Sequence, residues 1–370
     1  MTKKKRYIAW LRVALISLGL HYLTLILCQF LIQGGFSLSG FLDLIRERLT
    51  QPGDAVRYID IAGNGYVREG ENAINLVFYP LYPWLMRALS YFTGSLPAAG
   101  VLLSQCSYAA ASIFLYEWLI LDGRDAWFGV LLLALYPFSV FVMGVYTEGL
   151  FLLLTVSCLF CIRTRRFAWA GITGFLAALC RTQGMLLIFP AVYELVALRL
   201  SGEKRKFRWT DAFVLLIPLG FCVYLGINYA LHGNAFQFLQ YEAGEPWYQT
   251  SEWIGRNIAL QWTLGHEYKG LEWIIYYPQV ALYFIALGVL LYGALKRDWT
   301  AGLLYGGAYL GFTYLSGWMI SGGRYMLGCV PLIMVLSNVK KPMVKNILLL
   351  TTALLHFAYS LFFYMGHSIM

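Results

Sequence analysis

The sequence predicts an all-α polytopic membrane protein, with about eleven transmembrane helices and two juxtamembrane helices in its first outer loop. Two observations predict this class. The 370-residue chain is 59% hydrophobic and only 13% charged, about half the charged share of a soluble protein. Its apolar runs also recur near the ~20 residues that cross a bilayer, with short basic clusters between them. The net charge of +9 therefore reads as the basic bias of cytoplasmic loops rather than as nucleic-acid binding.

Taken in order, Lys3, Lys4, Lys5 and Arg6 place the N-terminus in the cytoplasm. The run from Ile8 to Ile32 is too long for a signal-peptide core and no small-residue cleavage site follows, so it reads as an uncleaved span, 8–33. That span delivers a first extracytoplasmic loop, 34–96, to the outer face. In it, Leu38–Leu49 alternates Asp43, Arg46 and Glu47 with Phe41, Leu44 and Ile45, the pattern of a helix lying along the interface. Val77–Phe92 contains Pro80, Pro83 and Arg87 and is short for a span. If it crossed, the clusters Arg163–Arg166 and Lys204–Arg208 would face outward while the N-terminal lysines faced inward. A second interfacial helix restores the bias.

The remaining spans then fall at 97–121, 126–145, 148–162, 167–181, 184–199, 211–231, 271–295, 299–319, 325–338 and 347–365. This puts about 18 of the 28 Lys and Arg on the inner side, and about 12 of the 19 acids outside. Residues 232–270 form a second large outer loop rich in Trp, Tyr and Glu. The chain reads as one integral-membrane domain, 1–370. All seven cysteines lie inside apolar runs, which argues against a disulfide framework. Cys158 and Cys161 spell CxxC but read as small core residues of a span.

Polar residues that hydropathy does not explain collect on the outer face. They are Asp54, Arg57, Asp60, Asn64 and Asn75; Tyr146-Thr147-Glu148; Arg181-Thr182-Gln183-Gly184; His266 with Glu267; and Ser321 to Tyr325. Ionisable groups at membrane depth are costly, so each needs a partner or a task. Asp54, after Pro52-Gly53, reads as the N-cap of a short helix or as a base; Arg57 and Tyr58 share its face and Asp60 points elsewhere. Glu148 suits the dipole at the start of a helix, or orients a substrate. Arg181 and Arg324 stand alone among apolar residues, as snorkelling side chains or as phosphate ligands. His266 reads as a loop residue ahead of a catalyst. Tyr79, Tyr82, Trp247 and Trp253 suit an aromatic belt as well as a sugar platform. The sequence has no GxxxxGK[ST], HExxH or GxSxG motif and no zinc spacing. An outer-face enzyme of this kind needs energy already stored in its substrate, as in a lipid-linked phosphosugar.

The motifs GDAVRYIDIAGNGY (53–66), FYPLYP (78–83), PFSVFVMGVYTEGLF (137–151) and RTQG (181–184) occur in an order that carries a resemblance. The chain is similar to the membrane mannosyltransferases that resemble the second mannosyltransferase of GPI-anchor assembly, and to their bacterial relatives, within the glycosyltransferase-C superfamily. The resemblance covers about residues 1–200, and the remainder by topology and the late GGRY (322–325). Where the family has Trp-Asp and then His-Tyr or a similar pair, this chain has Gly53-Asp54 and Arg57-Tyr58.

The resemblance implies inverting transfer of a sugar, with mannose expected, from a polyprenyl- or dolichyl-phosphate donor. The acceptor is a hydroxyl of a membrane-associated glycan, lipid or protein on the extracytoplasmic face. Carried onto this sequence, it makes Asp54 the catalytic base. Arg57, Arg181 and Arg324 are the candidates for the donor phosphate, and Tyr58, Asp60, Tyr146, Glu148, Gln183, His266 and Tyr325 are candidates to orient substrate. No cofactor is expected; the residues demand no metal, yet could hold a carboxylate-bound divalent ion. Expected partners are the lipid-linked donor, the acceptor and membrane lipids, with no nucleic acid. The alternative is a multi-pass lipid or solute transporter or flippase, marked by midplane polar residues or interrupted helices in paired repeats. The absence of an Asn-x-Ser/Thr sequon favours a bacterial cell membrane.

Overall fold

A computed structural model describes residues 3–51, 53–201, 208–270, 272–317 and 319–369. Most of the basic cluster Lys204–Arg208 lies outside the described residues; Arg208 is within them. The α-helices are α1 (Lys3–Gln33), α2 (Leu38–Thr50), α3 (Asp54–Asn64), α4 (Leu81–Thr93), α5 (Leu96–Leu121), α6 (Ala126–Ala134), α7 (Glu148–Arg163), α8 (Phe167–Cys180) and α9 (Ile188–Leu200). They continue as α10 (Leu216–His232), α11 (Gln237–Ala243), α12 (Ile254–Glu267), α13 (Tyr277–Leu295), α14 (Thr300–Thr313), α15 (Gly322–Tyr325), α16 (Pro331–Leu336) and α17 (Pro342–Met365). Among the described residues there is no strand, only an isolated bridge between Ser251 and Ser316.

The protein is an all-α polytopic membrane protein, and helical segments fall within each expected span, two of them broken. By length and composition, 6 helical stretches can cross a membrane unaided: Lys3–Gln33, Leu96–Leu121, Thr182–Leu200, Trp209–His232, Glu272–Leu295 and Pro342–Met365. Three of these begin with a turn of tighter or wider helix, at Thr182–Leu187, Trp209–Leu215 and Glu272–Tyr276. Residues 34–96 hold α2, α3 and α4. Ser37 starts α2 by accepting from Gly40 N (3.1 Å). The second juxtamembrane helix begins at Leu81 rather than Val77. Pro80 cannot donate within a helix and sits at its N-cap, while Glu71–Val77 winds as a 3₁₀ helix. The second large loop is not loop throughout, since α11 and α12 occupy much of it.

Two spans are interrupted, which the hydropathy of 126–145 and 325–338 does not announce. The first breaks after Ala134 and resumes only as a 3₁₀ turn, Ser139–Val142; the second is split into α15, Met326–Gly328 and α16. Irregular backbone is tolerated at membrane depth only when protein groups satisfy it. Ser104 and Gln105, neighbours on α5, donate to Tyr146 O (3.0 Å) and Met143 O (3.1 Å). Tyr136 Oη donates across to Gly323 O (2.6 Å), tying one break to the other. Val145 N donates to Leu49 O (2.8 Å) at the end of α2. His21 of α1 and His356 of α17, both buried, flank Ser139 at 3.1 Å each.

The main hydrophobic core runs from Ala9 on α1 to Ile369, with α5 packed on α1, α4, α6 and α7, and a smaller cluster gathers Tyr79, Tyr224 and Phe238. The two ends of the bundle carry different ion pairs. At the end where α5 meets α6, Asp122 accepts from Arg163 (3.0 Å), and Arg124 pairs with Asp298 and donates to Met334 O (2.6 Å). That set joins two inter-helix turns to α16. The other end carries the candidate site.

Candidate functional site

Asp54 opens α3, but it is not the cap of that helix. Gly53 occupies the N-cap with φ 56°, and makes no side-chain hydrogen bond to the helix. Glycine enters that left-handed region without the penalty of a Cβ, which leaves the Asp54 carboxylate available to another partner. Asp54 Oδ2 accepts from Arg324 Nη2 at 2.5 Å. Arg324 Nε donates to Glu148 Oε1 at 2.5 Å, and Arg181 Nη1 donates to the same oxygen at 2.6 Å. Arg181 also reaches Thr147 Oγ1 (3.2 Å). Four charged residues from distant parts of the chain thus form one line: Asp54, Arg324, Glu148, Arg181.

Burial along this line is uneven. Side-chain exposure is 24% at Asp54, 3% at Arg324, 2% at Glu148 and 11% at Arg181. Glu148 is therefore the anionic hub, and Asp54 is the end that water reaches. Snorkelling does not account for Arg324, which is buried. Rings enclose the cations: the Arg324 guanidinium carbon lies 5.0 Å from the Tyr146 ring and 5.1 Å from Phe141, while Arg181 lies 4.5 Å from Tyr325. Aromatic faces attract cations through their quadrupole and exclude water. Glu148 Oε2, also buried, has no hydrogen-bond partner among the described residues.

Arg181 owes its position to Gly184. A Cβ there would meet Ala177 C at 2.2 Å and Ala178 N at 2.3 Å, so the 3₁₀ turn Thr182–Leu187 can lie directly on α8 only with glycine. Gln183 is half-buried in that turn. Thr182 Oγ1 donates to Tyr79 Oη (2.7 Å), and Tyr79 stacks on Tyr224 with centroids 4.0 Å apart.

The other expected residues fall in two further places. Arg57 does not pair with Asp54; its Nη1 donates to Asn75 Oδ1 (3.3 Å), and Asp60 accepts from Asn75 (2.8 Å) and Asn64 (2.7 Å). Tyr58 is buried with its ring edge-on to Phe78 and Tyr82, and burial raises its hydroxyl pKa well above the usual value. His266 lies on α12 rather than in a loop, against Trp262 O (2.9 Å) and Tyr277 Oη (3.2 Å). Tyr82 is fully buried and donates to Gly100 O (3.0 Å), Trp247 packs on Phe78, and Trp253 is exposed.

Sequence reasoning passed over Ser104, Gln105, His21 and His356, although polar residues inside apolar runs are a visible signal. It also passed over Glu242 on α11, whose carboxyl burial pushes up to about 7. Nothing in the local sequence marks that burial, because it comes from α11 packing on Glu71–Val77 and α10.

No family model and no curated protein matches the sequence. Solved structures do. ArnT from Cupriavidus metallidurans, bound to undecaprenyl phosphate, superposes with a TM-score of 0.57 at 14% identity, covering 95% of this chain and 64% of that one. The chain has the glycosyltransferase-C fold. The apo oligosaccharyltransferase of Archaeoglobus fulgidus is a looser match, with a TM-score of 0.47 at 14% identity over 92% of this chain and 56% of that one. The chain thus spans under two thirds of either protein's length. Within the glycosyltransferase-C fold, the charged line lies where the starts of α3 and α7, the α8–α9 turn and α15 meet.

Proposed function

We propose that the protein is an inverting glycosyltransferase that moves a sugar, mannose by the motif resemblance, from a polyprenyl-phosphate donor to a hydroxyl of a membrane-associated acceptor on the extracytoplasmic face. One observation carries the reading: a partly exposed carboxylate, Asp54, stands beside buried arginines at one end of a membrane bundle. In this scheme Asp54 accepts the proton of the acceptor hydroxyl as its oxygen attacks the sugar C1. Positioned base help is worth about 10²–10⁴-fold. Arg324 and Arg181 hold the departing phosphate, with the surrounding rings strengthening the attraction by keeping water out. Arg57, one turn along α3, and the hydroxyls of Tyr146 and Tyr325 serve a ligand lying over Asp54.

The fold supports a lipid donor, since ArnT is bound to undecaprenyl phosphate in its structure. An apolar groove of about 870 Å³ between α9 and α14, lined by Phe189, Val192, Val196, Leu304 and Gly307, supplies room for a lipid tail. The opposite face of α14 carries Tyr309, whose hydroxyl donates to Tyr325 O (2.8 Å) beside Arg181. Interrupted helices also occur in transporters, and covalent transfer by purified protein separates the two readings. The test is to incubate purified protein with a panel of lipid-phosphate sugars and read products by mass, for wild type and Asp54→Asn. Transfer is expected to fall about 10²-fold or more in the variant; unchanged transfer would remove Asp54 as base.

A further inference from the structure

The contact between Asp54 and Arg324 joins the proposed base to a proposed anion ligand. One planar guanidinium is held at two nitrogens, Nη2 by Asp54 and Nε by Glu148, both at 2.5 Å. The two contacts are equally short but do not resist breakage equally. Losing the Glu148 contact strands a charge in a place only 2% exposed, whereas the Asp54 side chain is 24% exposed and water can solvate it. Glu148 is also tied to Arg181 through the same oxygen. An anion that approaches Arg324 therefore displaces Asp54 and leaves Glu148 in place. While Oδ2 is engaged, Arg324 fixes the orientation of the carboxylate, and only what remains of its acceptor sites, chiefly Oδ1, can meet an acceptor hydroxyl.

We propose that Arg324 is exchanged between Asp54 and the donor phosphate, so that donor binding frees Asp54 and the transfer is ordered, donor before acceptor. This rests on the lipid-phosphate donor reading above. A phosphate oxygen takes Nη2 and Asp54 swings free. The acceptor oxygen then bonds to C1 while its proton passes to Asp54. The bond from C1 to the phosphate oxygen breaks, and its electron pair stays on the phosphate, whose growing charge tightens its hold on Arg324. When the lipid phosphate leaves, Arg324 returns to Asp54 and the proton goes to water at the exposed end of the line. Glu148 is a positioning residue throughout, holding Nε of Arg324 and so presenting Nη2.

The experiment uses full-length protein in nanodiscs with undecaprenyl phosphate as the probe. Asp54→Asn and Asp54→Ala are expected to bind it about tenfold more tightly than wild type, ~1.4 kcal/mol, and Asp54→Glu to return to the wild-type value. On wild-type protein, adding undecaprenyl phosphate is expected to raise carbodiimide labelling of Asp54, read by mass spectrometry. Unchanged or weaker binding by both neutral variants, or a fall in labelling, overturns the exchange. Arg324→Lys serves as the reference for losing the guanidinium. If wild type and every variant fail to bind the probe, the donor reading itself falls and takes the exchange with it.

Discussion

Glu148→Gln tests whether the buried line is organised around Glu148. Two guanidinium groups donate to its Oε1, at 2.5 and 2.6 Å. A hydrogen bond to a charged group contributes about 1.5–3 kcal/mol and a neutral one about 0.5–1.5, so neutralising the acceptor forfeits roughly 1–1.5 kcal/mol at each. Of the two arginines, Arg324 would keep a partly exposed carboxylate, Asp54, and Arg181 would lose its carboxylate partner. The two contacts amount to about 2–3 kcal/mol, and breaking a buried pair typically costs about 3–5 kcal/mol in all; these are overlapping measures of one loss, which is about 3 kcal/mol. Asp54→Asn touches the same guanidinium at the same distance, but from a carboxylate that water reaches, and should cost below about 1.5 kcal/mol. The assay is unfolding by SDS in mixed micelles, followed by tryptophan fluorescence, for both variants and for the cycle Glu148→Gln with Arg181→Met. The double variant should fall short of the sum of the singles by about 2 kcal/mol. Equal losses for Glu148→Gln and Asp54→Asn, or additivity in the cycle, would refute the argument that burial ranks these contacts.

Three other outcomes follow from the same geometry. Gly184→Ala drives a methyl into the α8 backbone at 2.2–2.3 Å; overpacking against rigid backbone should cost about 1–3 kcal/mol and shift Arg181, lowering both the unfolding midpoint and sugar transfer. Glu242 has a folded pKa of about 7 against an ordinary 4.5, so the folded state holds its proton more tightly and stability falls as pH rises from about 4.5 to 7, then levels. Glu242→Gln should flatten that fall and gain about 1–2 kcal/mol above pH 7, less than the full shift because water still touches the side chain; thermal unfolding at pH 5 and pH 8 reads it. For sidedness, a tag inserted after Arg163 is expected to stay inaccessible to reagent outside intact cells, and labelling there would reverse the proposed orientation.

Much of the fold was legible because hydropathy and charge act locally. A stretch such as 8–33 needs only its own residues to show that it suits lipid, and Pro80 announces its helix boundary through its missing N–H. Asp54, Glu148, Arg181 and Arg324 were each legible as residues out of place among apolar neighbours. Their mutual contacts were not, because residues 54 and 324 are joined by packing alone. Asp54 and Arg57 share a helix face, as their spacing predicts, yet they do not pair: neighbours at three residues meet only if nothing stronger competes, and Arg324 does for Asp54 as Asn75 does for Arg57.

The sequence by itself determined the membrane class, the order of spans and the set of costly polar residues, since transfer into lipid is priced residue by residue. Tertiary structure decided which of those residues meet, where the spans at 126–145 and 325–338 break, and how much water each charge retains. The physical reason is that an ion pair's strength depends on the solvent around it. Asp54 and Glu148 are the same chemistry in sequence; only the fold leaves one at the surface and puts the other at the centre of the line.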